Sequence, residues 1–265
     1  MWIDSGIHAR EWITPAVNTW MLNQLLENGS EHPELLDKLD WYFLPLHNPD
    51  GYFKTREDDR MWRKTTSWHS GDACQGTDPN RNWESNWGGV GASNDSCTQL
   101  YHGPVAFREI ENRHVATFLW SHKNTIKFYM TMHSYSQMIL LPWGSKRELV
   151  PGSHQIPDTL RVKFHFIDYS KLLELAARGN KMLFNVHGET YEVGQLSHIM
   201  YSASGGSMDW VKGVVGVPYT YTMELRDTGT NGFLLPPSQI IPNAEEVWAF
   251  HVEAARQIIK EFGNK

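Results

Sequence analysis

The chain has 265 residues, 40% of them hydrophobic, and a formal net charge of −6 with its histidines neutral. That length supports one large α/β domain with a buried core. The acidic balance and the lack of any Lys/Arg block argue against a nucleic-acid partner, which requires a basic face. No stretch reads as a signal peptide or as an apolar run able to cross a bilayer, so no membrane partner is expected.

In chain order, Trp2 to Ile7 reads as a strand, entered with no cap or arm before it, so the chain is expected to begin inside a fold. His8-Ala-Arg-Glu11 follows directly. Two ligands at this spacing can meet one ion only where the chain turns after a strand, and Gly6 supplies a loose backbone there. Such a pair is common by chance. Its position raises its value, because open α/β sheets place their sites at strand ends. Thr14-Pro15 predicts a helix start, with Val17, Trp20, Met21 and Leu25 at helical spacing until Gly29. Trp41 to Leu46 reads as a short strand stopped by Asn48-Pro-Asp-Gly51, a strong turn signal.

From Arg56 to Gly103 the chain is polar, rich in Gly, Asn and Ser, and studded with tryptophan, the pattern of an irregular region that builds a site on a rigid scaffold. Met61-Trp-Arg63-Lys64 and Asp78-Pro-Asn80-Arg81-Asn-Trp83 set guanidinium groups among aromatic rings. A planar fork of donors suits a carboxylate, although arginine stacked on surface tryptophan reads the same way. Cys74 and Cys97 are too few for a four-cysteine zinc site, and a disulfide and two free thiols both stay open. Two N-x-S/T triplets, Asn28-Gly-Ser and Asn94-Asp-Ser, lean toward an extracellular chain.

Glu109 to Lys123 predicts a helix, and Ile126 to Met132 a buried strand running into His133, either a core histidine or a third ligand. Two His and one Glu would leave a position for water, the arrangement of a catalytic rather than a structural zinc. Such a water needs a base to take its proton. Leu172 to Phe184 reads as a helix and Val217 to Leu225 as a strand. That strand carries Glu224 near its end, either paired with Arg226 as structure or kept for function. Pro242 to Phe262 predicts a C-terminal helix. Strands alternating with helices imply an α/β fold with a mixed, mainly parallel central sheet covered on both faces.

Taken together, Gly6-Ile-His-Ala-Arg-Glu-Trp12, Asn48-Pro-Asp-Gly51, Met61-Trp-Arg-Lys64, Asn80-Arg-Asn-Trp83, His133-Ser-Tyr-Ser136, Tyr201-Ser-Ala-Ser-Gly-Gly206, Glu224-Leu-Arg-Asp-Thr-Gly229 and Gly232-Phe-Leu-Leu-Pro236 resemble the funnelin zinc metallocarboxypeptidases of the pancreatic A/B type. Each match alone is weak, and their collinear occurrence is highly specific. The resemblance implies His8, Glu11 and His133 as ligands of one zinc, Glu224 as general base on a zinc-bound water, and Arg63 as the cation that polarises the scissile carbonyl. This donor set is a standing example of a catalytic zinc site, so it is borrowed from the family rather than derived. It further implies that Asn80 and Arg81 grip the substrate's terminal carboxylate with help from a mobile Tyr201. Arg10 and Tyr135 would line subsites further along the peptide, and Asp78 would orient His8 from outside the ligand shell. Cys74 and Cys97 match a disulfide of the family. Met208 matches the pocket floor, where a basic side chain would be buried without a counter-ion, so apolar or aromatic C-terminal residues should be preferred. Asp209 beside it would reverse that preference if the register were off by one.

Against the family, residues 1–265 read as a partial catalytic domain, lacking early elements and the inhibitory prosegment, with 146–168 as an atypical insertion. The implied protein is a secreted, monomeric zinc exopeptidase acting on peptide C-termini. Two alternatives stand beside it: a related zinc deacylase of N-acyl amino acids, and a non-catalytic fragment.

Overall fold

A computed structural model describes residues 1–145 and 158–263, with the backbone alone described over 158–167. The elements run in chain order as β1 (Trp2–Ser5), α1 (Ile13–Glu27), α2 (Pro33–Asp37), β2 (Tyr42–Leu44), α3 (Pro49–Glu57), α4 (Ile110–Ser121), β3 (Phe128–Ser134), β4 (Met138–Leu141), α5 (Asp158–His187), β5 (Glu192–Gln195), α6 (Leu196–Ile199), α7 (Ser207–Trp210), β6 (Tyr219–Leu225) and α8 (Ile240–Phe262). The strands form one sheet in the order β2-β1-β3-β6-β4-β5. Every neighbouring pair is parallel except β4 against β6. This is the mixed, mainly parallel α/β sheet expected from the alternation of elements.

Alternation along the strands divides the core in two. Ile3, Phe128, Met130, Tyr221 and Met223 pack with α1, α5 and α8 on one face, whereas Trp2 and Tyr129 pack with Trp83, Trp210 and α4 on the other. In α8, Ala244, Val247, Phe250, Ala254 and Ile258 recur at helical spacing and are buried. Truncating fully buried Phe250 to Ala would cost about 3–5 kcal/mol. The same alternation in β6 leaves Thr222 and Glu224 on the face toward α7, away from the main core.

Three sequence expectations are refined. Asn48-Pro-Asp-Gly51 starts a helix rather than simply ending a strand: the Asn48 side chain accepts from Gly51 N at 3.0 Å as the N-cap of α3, and Pro49 is its first residue. Asn-Pro serves a turn and a helix N-terminus equally well, since both need a capped donor and a fixed φ. The helix expected at 172–184 is the C-terminal part of the longer α5. Strands β4 and β5, four residues each, had not been anticipated. The stretch singled out at 146–168 lies outside the described residues over 146–157, and α5 runs on from Asp158.

Candidate metal centre and substrate cleft

Three adjacent strands, β1, β3 and β6, converge on the site with their C-terminal ends. Gly6 turns the chain out of β1 with φ of 65°, a left-handed conformation that glycine adopts without steric cost. Gly6 N then donates to Thr14 Oγ1 at 3.0 Å, and that hydroxyl donates to Glu11 O at 2.9 Å, so the start of α1 holds the turn that carries His8 and Glu11. One strand over, His133 and Glu224 are register partners across β3 and β6.

The three expected ligands meet. His8 Nδ1 lies 2.8 Å from Glu11 Oε1 and 3.2 Å from His133 Nδ1, and His133 Nδ1 lies 3.2 Å from Glu11 Oε2. All three residues are buried. The set fits a zinc ion: at zinc–nitrogen bonds of about 2.0–2.1 Å, two nitrogens of a tetrahedron stand about 3.3 Å apart. Among the described residues, this is the group of His, Cys, Asp and Glu side chains close enough to share a metal. Burial, with Arg63 adding to it, lowers the pKa of His8 and favours the neutral, ligating imidazole. Burial opposes ionisation of Glu11, but His8 and His133 outweigh it and hold its carboxyl below the usual carboxylate range.

Asp78 is the hub beneath this set. Its Oδ1 accepts from His8 Nε2 at 3.1 Å and from Asn80 N at 2.9 Å, while its Oδ2 accepts from Arg63 Nε at 3.1 Å and Arg63 Nη2 at 2.9 Å. Burial would raise its pKa, yet Arg63 and His8 keep it well below the ordinary value. A carboxylate so placed fixes the orientation of His8. Arg63 thus binds a carboxylate of the protein itself, and Arg81 donates to backbone carbonyls; the neighbouring Arg60 stacks on Trp12 at 3.9 Å and also donates to Arg10 O and Phe233 O.

Glu224 is not the partner of Arg226, whose guanidinium pairs with Glu246 instead. It faces the cleft, and burial pushes its pKa up to about 8; His133 and Arg63 counter the shift and the nearby charge of Glu11 adds to it. The cleft has a volume of about 360 Å³. Arg10, Arg63, Asn80, Arg81, Tyr135, Tyr201 and Met208 all line it together with the three ligands and Glu224. Arg81 is 2% exposed; its Nε donates to Gly91 O at 2.7 Å and its Nη1 to Asn80 O at 2.9 Å, leaving Nη2 buried without a partner. Asn80 Oδ1 accepts from Ser207 N at 3.0 Å, which locks the loop ahead of α7 to the arginine pair. Gly205 makes that approach possible, since a Cβ there would stand 2.2 Å from Arg81 O. Tyr201 is half exposed, at the cleft rim.

Met208 is buried, its Sδ 3.5 Å from Thr222 Oγ1. The neighbouring Asp209 turns to the loop after β4: its Oδ1 accepts from Gly144 N at 2.9 Å and its Oδ2 from Ser145 N at 3.1 Å. Burial raises its pKa in spite of these bonds. Four contributors carried no role in the sequence reading. Phe233 lies under the Arg10 guanidinium at 4.2 Å and against the Tyr135 ring at 5.0 Å; it sat inside the matched Gly232-Phe-Leu-Leu-Pro236 segment without an assignment. Gly144 in the loop after β4, Leu196 at the start of α6 and Met200 just beyond its end complete the wall, positions with no sequence signal strong enough to flag them. Cys74 and Cys97 form a disulfide that closes the loop region.

Fold and donor set together define an α/β protein with a His-His-Glu cluster near its strand ends, close enough to share one metal ion, opening on a cleft of cationic and aromatic side chains. A sequence model of the zinc carboxypeptidase family matches residues 1–250, and the chain belongs to that family. It is 43% identical to carboxypeptidase A2 of Mus musculus over 251 residues, which is 94% of this chain and 56% of that protein. It is 44% identical to carboxypeptidase B of Astacus astacus over 250 residues, 94% of this chain and 77% of that one. Among solved structures, thrombin-activatable fibrinolysis inhibitor is similar with a TM-score of 0.89 at 40% identity, covering 98% of this chain and 62% of that chain. The bovine form, solved with a tick carboxypeptidase inhibitor, gives 0.87 at 39% identity, covering 98% and 82%. The chain spans about half the length, 56%, of the mammalian curated relatives it matches.

Proposed function

We propose that this chain carries the catalytic centre of a zinc-dependent exopeptidase that hydrolyses the C-terminal peptide bond of peptides and prefers an apolar or aromatic last residue. The observation that carries the reading is the convergence of His8, Glu11 and His133 with Glu224 at one end of a cleft and Arg81 within the same cleft. His8, Glu11 and His133 would hold the zinc, which when bound supplies Lewis acidity to the reacting centre.

The protein's own groups divide the remaining work. Glu224, which faces the cleft beside the ligands, takes a proton from the attacking water and returns one to the departing amine. Arg63, held rigidly by Asp78, faces the cleft as a preorganised cation for the oxygen on which negative charge develops. Arg81 has an unpaired buried Nη2, which gives the terminal carboxylate a charge-assisted bond. Asn80 stands beside it and Tyr201 covers the rim, while Arg10, Tyr135 and Phe233 form the wall along which the rest of the peptide lies. The preference for an apolar residue rests on Met208 at the floor. The carboxylate next to it, Asp209, also lines the cleft, but both of its oxygens already accept from the backbone amides of Gly144 and Ser145, which supports Met208 rather than Asp209 as the floor.

The test is hydrolysis of an N-blocked dipeptide ending in Phe, compared with one ending in Arg and with an N-acyl amino acid. The expected result is turnover of the Phe dipeptide, lost on chelation and restored by zinc. A faster reaction on the Arg dipeptide would overturn the assigned preference, and a faster one on the acyl amino acid would favour a deacylase. Met208→Asp is expected to move the preference toward Arg.

A further inference from the structure

We propose that Asn28 is a site of N-linked glycosylation and that Asn94, in the other acceptor triplet, stays unmodified. Both triplets satisfy the N-x-S/T pattern, so the sequence alone ranks them equally. Their surroundings differ. Asn28 and Ser30 are both exposed in the short connection after α1, with a glycine between them. The Asn28 carboxamide makes one surface hydrogen bond, from Nδ2 to Gln24 Oε1 at 2.7 Å. Exposed bonds of this kind contribute little net stability, so the amide is easily released.

Asn94 is exposed too, but the rest of its triplet is built into the disulfide loop. Ser96 is 7% exposed, and its Oγ accepts from Ala73 N at 3.1 Å and Cys74 N at 3.2 Å. Asp95 accepts from Cys97 N at 2.9 Å, immediately at the disulfide. Once Cys74 and Cys97 have paired, the hydroxyl of this triplet is out of reach, whereas that of Asn28 is open before and after folding. Asp95 also sets a negative charge next to the acceptor amide, where a pyrophosphate-bearing donor must approach.

The donor is a lipid-pyrophosphate-linked oligosaccharide. Asn28 Nδ2 attacks the anomeric carbon, the C1–O bond to pyrophosphate breaks as C1–N forms, the nitrogen gives up one proton, and the lipid pyrophosphate leaves with the electron pair. Asn28 follows the 15 residues of α1, whose other end adjoins Glu11, so about 22 Å of helix separates the glycan from the metal centre. The cleft therefore stays open to substrate.

This inference rests on passage through a secretory compartment, and the test supplies that passage directly. The whole chain is expressed behind a leader in a eukaryotic host, and secreted and cell-retained protein are both analysed for mass before and after peptide N-glycosidase. The expected result is a single glycan on the parent, lost in Asn28→Gln and in Ser30→Ala, kept in Asn94→Gln, with hydrolysis of the Phe dipeptide unchanged in all three. A parent with no glycan, a glycan that disappears only in Asn94→Gln, or two glycans would overturn it. The carboxypeptidase reading is judged separately, by the parent's own turnover.

Discussion

The two walls of the cleft are built on different principles. On one side, His133 and Glu224 are register partners near the ends of neighbouring parallel strands, and His8 and Glu11 follow in the turn that leaves the adjacent β1. On the other, Arg63, Asp78, Asn80 and Arg81 lie in a long stretch whose one helical element is a single turn at Pro79–Arg81. That wall is fixed by bonds to backbone groups: Ala9 N to Arg63 O at 3.0 Å, Asp78 N to Tyr101 O at 2.8 Å, and Trp83 N to Gly205 O at 3.0 Å. Buried Asn48 adds to this by donating to both Ile7 O and Lys64 O. The contrast teaches that the candidate ligands are brought together largely by a regular sheet, whereas the candidate substrate grip is assembled by satisfying irregular backbone one group at a time.

The sharpest way to probe this contrast lies on the strand side. Glu224→Gln is expected to lower kcat/KM by about 10³-fold, about 4 kcal/mol, with zinc stoichiometry still one per chain. Activity close to the parent's would remove Glu224 from its assigned role. On the loop side, replacing Cys74 and Cys97 by Ser should cost about 3 kcal/mol of stability, given the sequence separation of 23 that the disulfide closes. KM should rise while zinc content holds, because no ligand sits in that loop. Loss of zinc instead would mean the two walls are one cooperative unit.

Asp78 bridges the walls, so Asp78→Asn is expected to weaken zinc binding by about 10–100-fold and to lower activity through Arg63 as well. A competition titration with a chelating dye reads the first effect, and unchanged affinity would break the link. The smallest effect concerns stability. In the metal-free folded chain Glu224 keeps its proton up to about pH 8, whereas unfolded it releases it near 4.5. The native state thus binds the extra proton between these values, and stability falls as pH rises across that window. In chelated protein, Glu224→Gln should melt a few degrees above the parent at pH 8 and level with it below pH 4.5. Melting curves showing the parent gaining on the variant as pH rises would contradict the burial argument.

Much of the strand-side wall is legible in one dimension. A strand pattern followed at once by His8, another running into His133 and a third carrying Glu224 already places three chemical groups at strand ends. The loop-side wall is readable only through family likeness, because irregular backbone has no period to detect. Even the Asn48-Pro-Asp-Gly51 signal marks a break without telling a turn from a helix start. Strands β4 and β5 escaped notice because four residues are too few to display an alternation.

Composition and periodicity therefore determined the fold class, which depends on local preference, and motif order, read through family likeness, singled out His8, Glu11, His133 and Glu224 as candidate ligands and base. Tertiary structure decided which partner each charge takes: Arg226 with Glu246, Arg63 with Asp78, Asp209 with the Gly144 and Ser145 amides. It also separated two acceptor triplets that are equivalent on paper. The physical reason is that ion pairing and burial depend on distances between residues far apart along the chain, and those distances exist only once the sheet has formed.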